Sequence, residues 1–465
     1  MYAELKGSEH DYGALRAKLR GETIQRGDAG YDEARKLFNA MIDKKPALIA
    51  RCVDAADVVT CVNYAREKGI LLAIRGGGHN GPGLGSCNDG LVIDLSRMRS
   101  LRVDPVTRTA QVGGGCVWGE VDRATHAFGL ATPSGIISTT GVGGLTLGGG
   151  IGHLSRKYGL TIDNLLSVDM VLADGSLVTA NHQQNQDLFW AVRGGGGNFG
   201  VVVSFTFRLH PVDTVVAGPM LWAIEDAPAV MSAYEQFITD APEEVNGFFA
   251  FLTVPPVDLF PATLHMRKVC AVVWCSLAGE ERTREILKPA ERWAKPLISG
   301  ISTMPFPALQ TLFDGLYTPG LQWYWKADFV DHLSDDAIAL HLQHGPQLPT
   351  LHSTMHLYPV NGAVHRTAEE DTAFNFRKTK WAEVIVGVDP DPANKERITG
   401  WAKGYWEALH PYSSPGAYVN FMMEEGAARV EATYGGNYGR LRQVKARYDS
   451  ANLFRVNQNI APADC

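Results

Sequence analysis

The chain has 465 residues, with 43 Lys+Arg against 50 Asp+Glu and a formal charge of −7, so it offers no basic surface for nucleic acid. Hydrophobic residues make up 45% and charged residues 20%, which excludes disorder as a global description and fits about two or three domains. The longest apolar runs, such as residues 201–205, fall far short of the ~18 residues that a helical membrane span requires.

The opening Met1-Tyr2-Ala3-Glu4-Leu5-Lys6 has no basic segment followed by an apolar one, so a cytoplasmic location without an export signal is expected. Cysteines at 52, 61, 87, 116, 270, 275 and 465 form no CxxC pair, and HExxH is absent. Free buried thiols and no metal site are the expectation.

Of the 49 glycines, 33 fall in the first 200 residues, whereas 20 of the 24 prolines and 8 of the 10 tryptophans come later. A composition step this large predicts two domains with different tasks: one whose backbone closely wraps something, and one rich in aromatic surface. The boundary is placed near His210-Pro211-Val212.

In chain order, residues 47–53 read as a strand and Asp54 as a helix cap. Val58, Val59, Val62 and Ala65 give an apolar stripe that ends at Gly69, and residues 70–74 give a second strand. Arg75-Gly76-Gly77-Gly78-His79-Asn80-Gly81-Pro82-Gly83 follows as a loop leading to strands at 91–95, 100–103 and 109–112. Because no helix opens after this loop, neither a dinucleotide fingerprint nor a P-loop fits.

A second glycine run spans 135–152 and a third spans 193–200, just before the strand 201–207. One such cluster is ordinarily a tight turn. Three that bracket strands within one domain predict a backbone cradle, rich in exposed N–H groups, for an extended phosphate-bearing cofactor.

Beyond the boundary, strands are expected at 248–252, 269–277, 321–329 and 354–358. In the last of these, alternation puts Thr354, His356 and Tyr358 on one face and Met355, Leu357 and Pro359 on the other. The first set is a candidate active-site wall, while Trp323-Tyr324-Trp325 reads as core or cleft wall. The adjacent pairs Glu280-Glu281 and Glu424-Glu425 cannot converge as a glycosidase dyad and read as solvated charge. Arg440, Arg442, Lys445 and Arg447 read as a helix that pairs with carboxylates or covers surface.

Together these motifs resemble the berberine bridge enzyme-like flavoprotein oxidases of the vanillyl-alcohol oxidase superfamily. The resemblance spans nearly the whole chain: the Arg75-to-Asn80 loop, the glycine run 141–152 with Tyr158-Gly159-Leu160-Thr161-Ile162-Asp163-Asn164, the Asp187-to-Gly200 segment, and the closing Tyr418-Val419-Asn420-Phe421, Asn452-Leu453-Phe454 and Asn457-Gln458-Asn459-Ile460. It implies an α+β fold in two lobes, with an FAD-binding domain at 1–211, a sheet-based substrate domain at 212–411, and a segment at 412–465 that returns to the FAD domain. FAD is the implied cofactor. The implied FAD-binding positions are Arg75, Gly76, Gly77, Gly78, His79, Asn80, Gly81, Gly135, Thr139, Gly141, Gly144, Gly149, Gly152, Val202, Tyr418, Asn420, Asn457 and Asn459.

The resemblance assigns His79 as the residue bonded to the flavin's 8α-methyl carbon. Many relatives add a cysteinyl tether; its position here is Ile137, so histidyl attachment alone is expected. Leu145 stands where many relatives have His, and Phe421 where many have Tyr. Thr140 occupies the position that tunes oxygen access. Tyr418, His356 and Tyr358 are the candidates for the proton acceptor, each with a structural alternative. The implied reaction removes hydride from an alcohol, sugar, amine or secondary metabolite and passes the electrons to O2. A dehydrogenase using another acceptor and a flavin-binding protein without turnover remain the alternatives. Oligomeric state and substrate identity are not legible.

Overall fold

A computed structural model describes residues 12–464; the readings of Met1 to Lys6 and of Cys465 lie outside the described residues. Near the start, helix Ala55–Lys68 is capped by the Asp54 carboxylate, which accepts from Asp57 N–H at 3.0 Å, and it ends at Gly69 with φ 62°, as helix-capping chemistry requires. Val58, Cys61, Val62 and Ala65 are buried, whereas Val59 is only partly so.

The buried stripe packs beside a small sheet in which Leu48–Arg51, Leu91–Asp94 and Leu72–Arg75 run parallel, with Glu22–Gln25 antiparallel at one edge. A five-stranded antiparallel sheet follows, ordered Leu101–Asp104, Thr109–Gly113, Val201–Arg208, Leu165–Val171, Leu177–Asn181. The second glycine run is not extended throughout: Val142–Leu147 closes into a short helix. Glycine's low helix propensity hides such a turn from a sequence reading.

After His210–Pro211, a large antiparallel sheet takes over, with Thr214–Ala223, Lys268–Ser276, Val245–Thr253, Thr354–Pro359, Trp381–Asp389 and Gln322–Val330 in spatial order and two short strands at its edge. One face is covered by helices Ala227–Asp240, Asp335–His344 and Lys395–Leu409 and buries Met355, Leu357 and Ile385 with them. The other face turns toward the glycine-rich lobe. There a single apolar cluster joins Trp118, Val142 and Phe205 to Phe248, Tyr358 and Val384 and to Tyr418 and Leu441.

The closing segment folds as helices Ala427–Tyr434 and Tyr438–Tyr448 and a final extended stretch. Lys445, fully buried, donates to Asn198 O at 2.6 Å, Asp449 Oδ2 at 2.6 Å and Phe454 O at 2.9 Å. Asn198 in turn donates to Gln458 O and accepts from Ile460 N–H, so this ion ties the end of the chain to the third glycine run. Arg447 pairs with Asp187 at 2.7 Å, and Arg440 lies over the Trp190 ring.

Glu280 and Glu281 are exposed, but Glu425 departs from the solvated reading: its side chain is 8% exposed and pairs with Lys326 at 2.7 Å. A tertiary cation holds it, which no local pattern reveals. The six described cysteines are buried and unpaired, and no described helix is long and apolar enough to cross a membrane. Removing the cation from a buried pair strands a charge at a cost of ~3–5 kcal/mol. Lys445→Ala should therefore lower the urea midpoint by an amount matching that loss, with an unchanged slope.

Candidate active site and cofactor cleft

The first glycine loop leaves strand Leu72–Arg75 and passes against the second run so closely that a Cβ on Gly77 would sit 2.4 Å from Gly141 N; one on Gly141 would sit 2.3 Å from Gly77 N. Only two glycines permit that contact. Gly78 adopts φ 72°, and its carbonyl accepts from Phe38 N–H. The 138–142 segment is pinned from behind, with Trp118 N–H donating to Thr140 O and Val142 N–H to Cys116 O.

These contacts present His79 to a cavity of about 350 Å³ that runs between the lobes. At one end the walls are Leu72, Ile74, Leu95 and Phe454; glycines 76–78, 141, 143–144 and 196–197 form the middle; at the far end stand Phe38, Tyr317, Trp323, Trp325, Tyr358 and Phe421.

The His79 ring stacks on Phe38 at 3.8 Å, and its Nε2 lies 3.0 Å from Thr139 Oγ1. Its Nδ1 makes no hydrogen bond among the described residues. Burial, only partly offset by Thr139, pulls its pKa down to about 4, so the imidazole is neutral at physiological pH.

On the same cavity, His356 Nδ1 and the Tyr358 hydroxyl are 2.6 Å apart, and both rings pack on Phe248. Burial lowers His356 to about 3 and raises Tyr358, to which Tyr317 adds. The Tyr418 hydroxyl accepts from Gly150 N–H at 2.9 Å and from Asn420 Nδ2 at 2.7 Å. Burial nonetheless raises its pKa to about 12.

Two family models match the chain: "FAD binding domain" over residues 46–181 and "Berberine and berberine like" over 417–461. An FAD-linked oxidoreductase of Dictyostelium discoideum is 32% identical over 449 residues, covering 96% of this chain and 95% of the relative. The chain belongs to the berberine bridge enzyme-like FAD-linked oxidoreductases.

A second relative, (R)-6-hydroxynicotine oxidase of Paenarthrobacter nicotinovorans, is 38% identical over 206 residues, 44% of this chain and 45% of that protein. The fold is shared with the solved BBE-like 1 of Physcomitrella patens, with a TM-score of 0.86 and 24% identity over 98% of this chain and 100% of that one.

The cleft of this berberine bridge enzyme-like oxidoreductase suits FAD. Its middle is walled by backbone that an anionic diphosphate can approach, and its ends are apolar enough for flat rings. Two lining residues carry a buried polar atom with no partner among the described residues, Asn457 at Oδ1 and Tyr434 at its hydroxyl, as befits groups beside a ligand site. Gly76, Gly77, Gly78, His79, Asn80, Gly135, Thr140, Gly141, Gly144, Val202, His356, Tyr358, Tyr418, Asn420 and Asn457 line the cavity.

Other motif residues serve the protein rather than the wall. Arg75 points away to Asp94 at 2.6 Å and to Ala34 O. Gly81 abuts Trp325, Gly149 abuts Phe374, and Gly152 abuts Ser134 O. Thr139 reaches the site through His79, and Asn459 is half-buried off the wall, its Oδ1 without a partner among the described residues.

Phe38 and Asn39 carry no sequence signal. Asn39 nevertheless donates to Gly81 O and Trp323 O and accepts from Trp323 N–H, stapling the His79 loop to the second lobe. Gly196 and Gly197 were within reach through the third glycine run.

Around Gly144 there is open space: a Cβ there meets nothing within 4 Å. Gly144→Ala should leave the circular dichroism spectrum unchanged while lowering the ratio of visible flavin to protein absorbance, because the added methyl enters only the cavity.

Proposed function

We propose that this oxidoreductase is an oxidase that holds FAD covalently through His79 alone, takes hydride from a carbon bearing a hydroxyl, and passes the electrons to O2. The observation that carries this reading is the shared cavity, which a neutral imidazole and a hydrogen-bonded His–Tyr pair both line. Its lobes would divide as 1–211 for FAD and 212–411 for substrate, with 412–465 folded back on the first.

In the tautomer that donates Nε2–H to Thr139, His79 Nδ1 keeps its lone pair, and Nδ1 is the atom that would hold the flavin. Ile137, also on the wall, offers no sulfur for a second bond. When bound, the flavin supplies a two-electron acceptor for hydride leaving carbon.

The chain's part is the proton. As the C–H bond gives up its pair, the substrate O–H must lose H⁺ to become a carbonyl. His356 is neutral and therefore able to accept it, either at Nε2 or at Nδ1 through Tyr358. Tyr418 is the weaker candidate, because its oxygen already accepts two hydrogen bonds; holding Asn420 and the Gly150 turn in place is the role we assign to it. Overall, R₂CHOH + O₂ gives R₂C=O + H₂O₂.

Thr140, small and on the wall, leaves oxygen a path. Rapid reoxidation of the reduced protein in air checks that step, and slow reoxidation with fast dye reduction would instead make it a dehydrogenase.

Acid precipitation of the purified protein should carry the yellow colour into the pellet, and His79→Ala should move it to the supernatant. His356→Gln should lower the rate constant of flavin reduction by ~10²–10⁴-fold, measured by flavin bleaching under anaerobic conditions, while flavin content stays constant.

A further inference from the structure

The substrate end of the cavity is built without charge. Among the described residues, no Asp, Glu, Lys or Arg lines any part of it. Strand alternation explains how. Gln322–Val330 turns Trp323 and Trp325 inward and Lys326 and Asp328 outward. Trp381–Asp389 likewise turns Val384 and Val386 inward and Glu383 outward. Lys326 is held behind the wall by Glu425 at 2.7 Å, and Asp328 by Arg429 and by His410 at 2.8 Å. Both imidazoles that do reach the cavity are neutral, burial having lowered His79 to about 4 and His356 to about 3.

Polar capacity at this end is also largely committed within the protein. Thr354 donates to Phe251 O at 2.8 Å, Asn420 to Leu145 O at 3.1 Å and Tyr418 at 2.7 Å, and His356 and Tyr358 bond each other at 2.6 Å. What remains are ring surfaces, His356 Nε2, the Tyr317 hydroxyl and the indole N–H groups of Trp323 and Trp325, none of which has a partner among the described residues.

A carboxylate placed there would lose its water with no cation to replace it. An ammonium would recover part of the loss from ring faces, but where this lobe sets Lys326 and Arg429 over Trp406 it supplies Glu425 and Asp328 with them, and the cavity supplies no such partner. A disaccharide would bring more hydroxyls than two indole N–H groups, the Tyr317 hydroxyl and His356 Nε2 can pair, and each one left unpaired counts against it.

We infer that the substrate is an uncharged aromatic alcohol, its ring among Phe38, Tyr317, Trp323, Trp325 and Phe421 and its one reacting hydroxyl on the His356–Tyr358 pair. This rests on the oxidoreductase reading above and narrows it. Turnover would convert the carbinol carbon to a carbonyl, its hydride and hydroxyl proton leaving with two electrons that reduce O2 to H2O2.

The test uses the full chain carrying its flavin, titrated anaerobically and followed by calorimetry and by the flavin's visible spectrum. The probes are neutral aromatic alcohols of one and two rings (4-methoxybenzyl, cinnamyl and 2-naphthylmethyl alcohol), the charged analogues 4-(hydroxymethyl)benzoate and 4-(aminomethyl)benzyl alcohol, and the neutral disaccharides cellobiose and xylobiose. At least one neutral aromatic alcohol should bind saturably and at least ~10-fold more tightly than either charged analogue, with no saturable binding of the sugars.

A sugar or charged analogue that binds as tightly as the best neutral aromatic overturns the inference. So does a flavin-loaded protein that binds none of the neutral aromatics. Protein that purifies without flavin under conditions where it is folded strikes the oxidoreductase reading itself, so the two failures are told apart before any ligand is added.

Discussion

The contact on which this molecule depends is a backbone-to-backbone one between Gly77 and Gly141. Each lies where a Cβ on the other would be about 1 Å inside ordinary van der Waals separation, at 2.4 and 2.3 Å from backbone nitrogen. The far side of such a clash is main chain, which cannot swing aside as a side chain can. The two loops therefore meet as bare peptide, and everything the loops carry is positioned by that meeting. His79 follows Gly77 by two residues, while Thr139 and Thr140 immediately precede Gly141. The His79 imidazole and the Thr139 hydroxyl bonded to it thus come from segments 60 residues apart in sequence yet inherit their spacing from one glycine pair.

Among the ties that register the second lobe to that pair, one amide is central. Asn39 holds Gly81 and both backbone groups of Trp323, so the loop bearing His79 and the strand bearing Trp323 and Trp325 cannot slide past each other without losing three hydrogen bonds in a buried place. Phe38, its neighbour, touches the His79 ring on one side and the Trp323 ring on the other at 5.3 Å. A site shared between two lobes is only as well defined as such ties make it. The closing segment performs the same service at the third glycine run, where buried Lys445 satisfies two carbonyls and one carboxylate at once.

What could be read from the sequence follows from these physics. Close approach demands glycine and leaves a visible trace, so the three runs, the loop at 75–83 and the neighbouring strands were legible. Period-two alternation is equally local, and it put Thr354, His356 and Tyr358 on one face before any coordinates. Motifs, however, mix residues that line a wall with residues that pack behind it. Arg75, Gly81, Gly149 and Gly152 belong to the second kind, and only their neighbours in space reveal it. Asn39 was invisible because its partner strand lies 284 residues away. Glu425 looked solvated for the same reason, its partner Lys326 being 99 residues distant. The helix Val142–Leu147 was hidden by its own glycines, which lower helix propensity while its surroundings, Cys116 and Phe205 among them, hold it.

Alternation also settles why the cavity can be neutral in a protein of −7 charge. Strands of the large sheet are buried on both faces, so any charge on them must choose a side. Sending Lys326, Asp328 and Glu383 to the helix-covered face lets Glu425, Arg429 and His410 neutralise the first two there. Glu383, fully buried and only 4.0 Å from His341 Nε2, is pushed upward in pKa by burial and by Asp328, which favours its uncharged form. The face toward the flavin-sized cleft is left with rings, aliphatic groups and one His–Tyr pair. In such surroundings any charge that forms on the pair is felt strongly, because no Asp, Glu, Lys or Arg among the described residues lines the cavity and little solvent screens it. The charged residues of these two strands thus stay off the cavity, one position along from the side chains that line it.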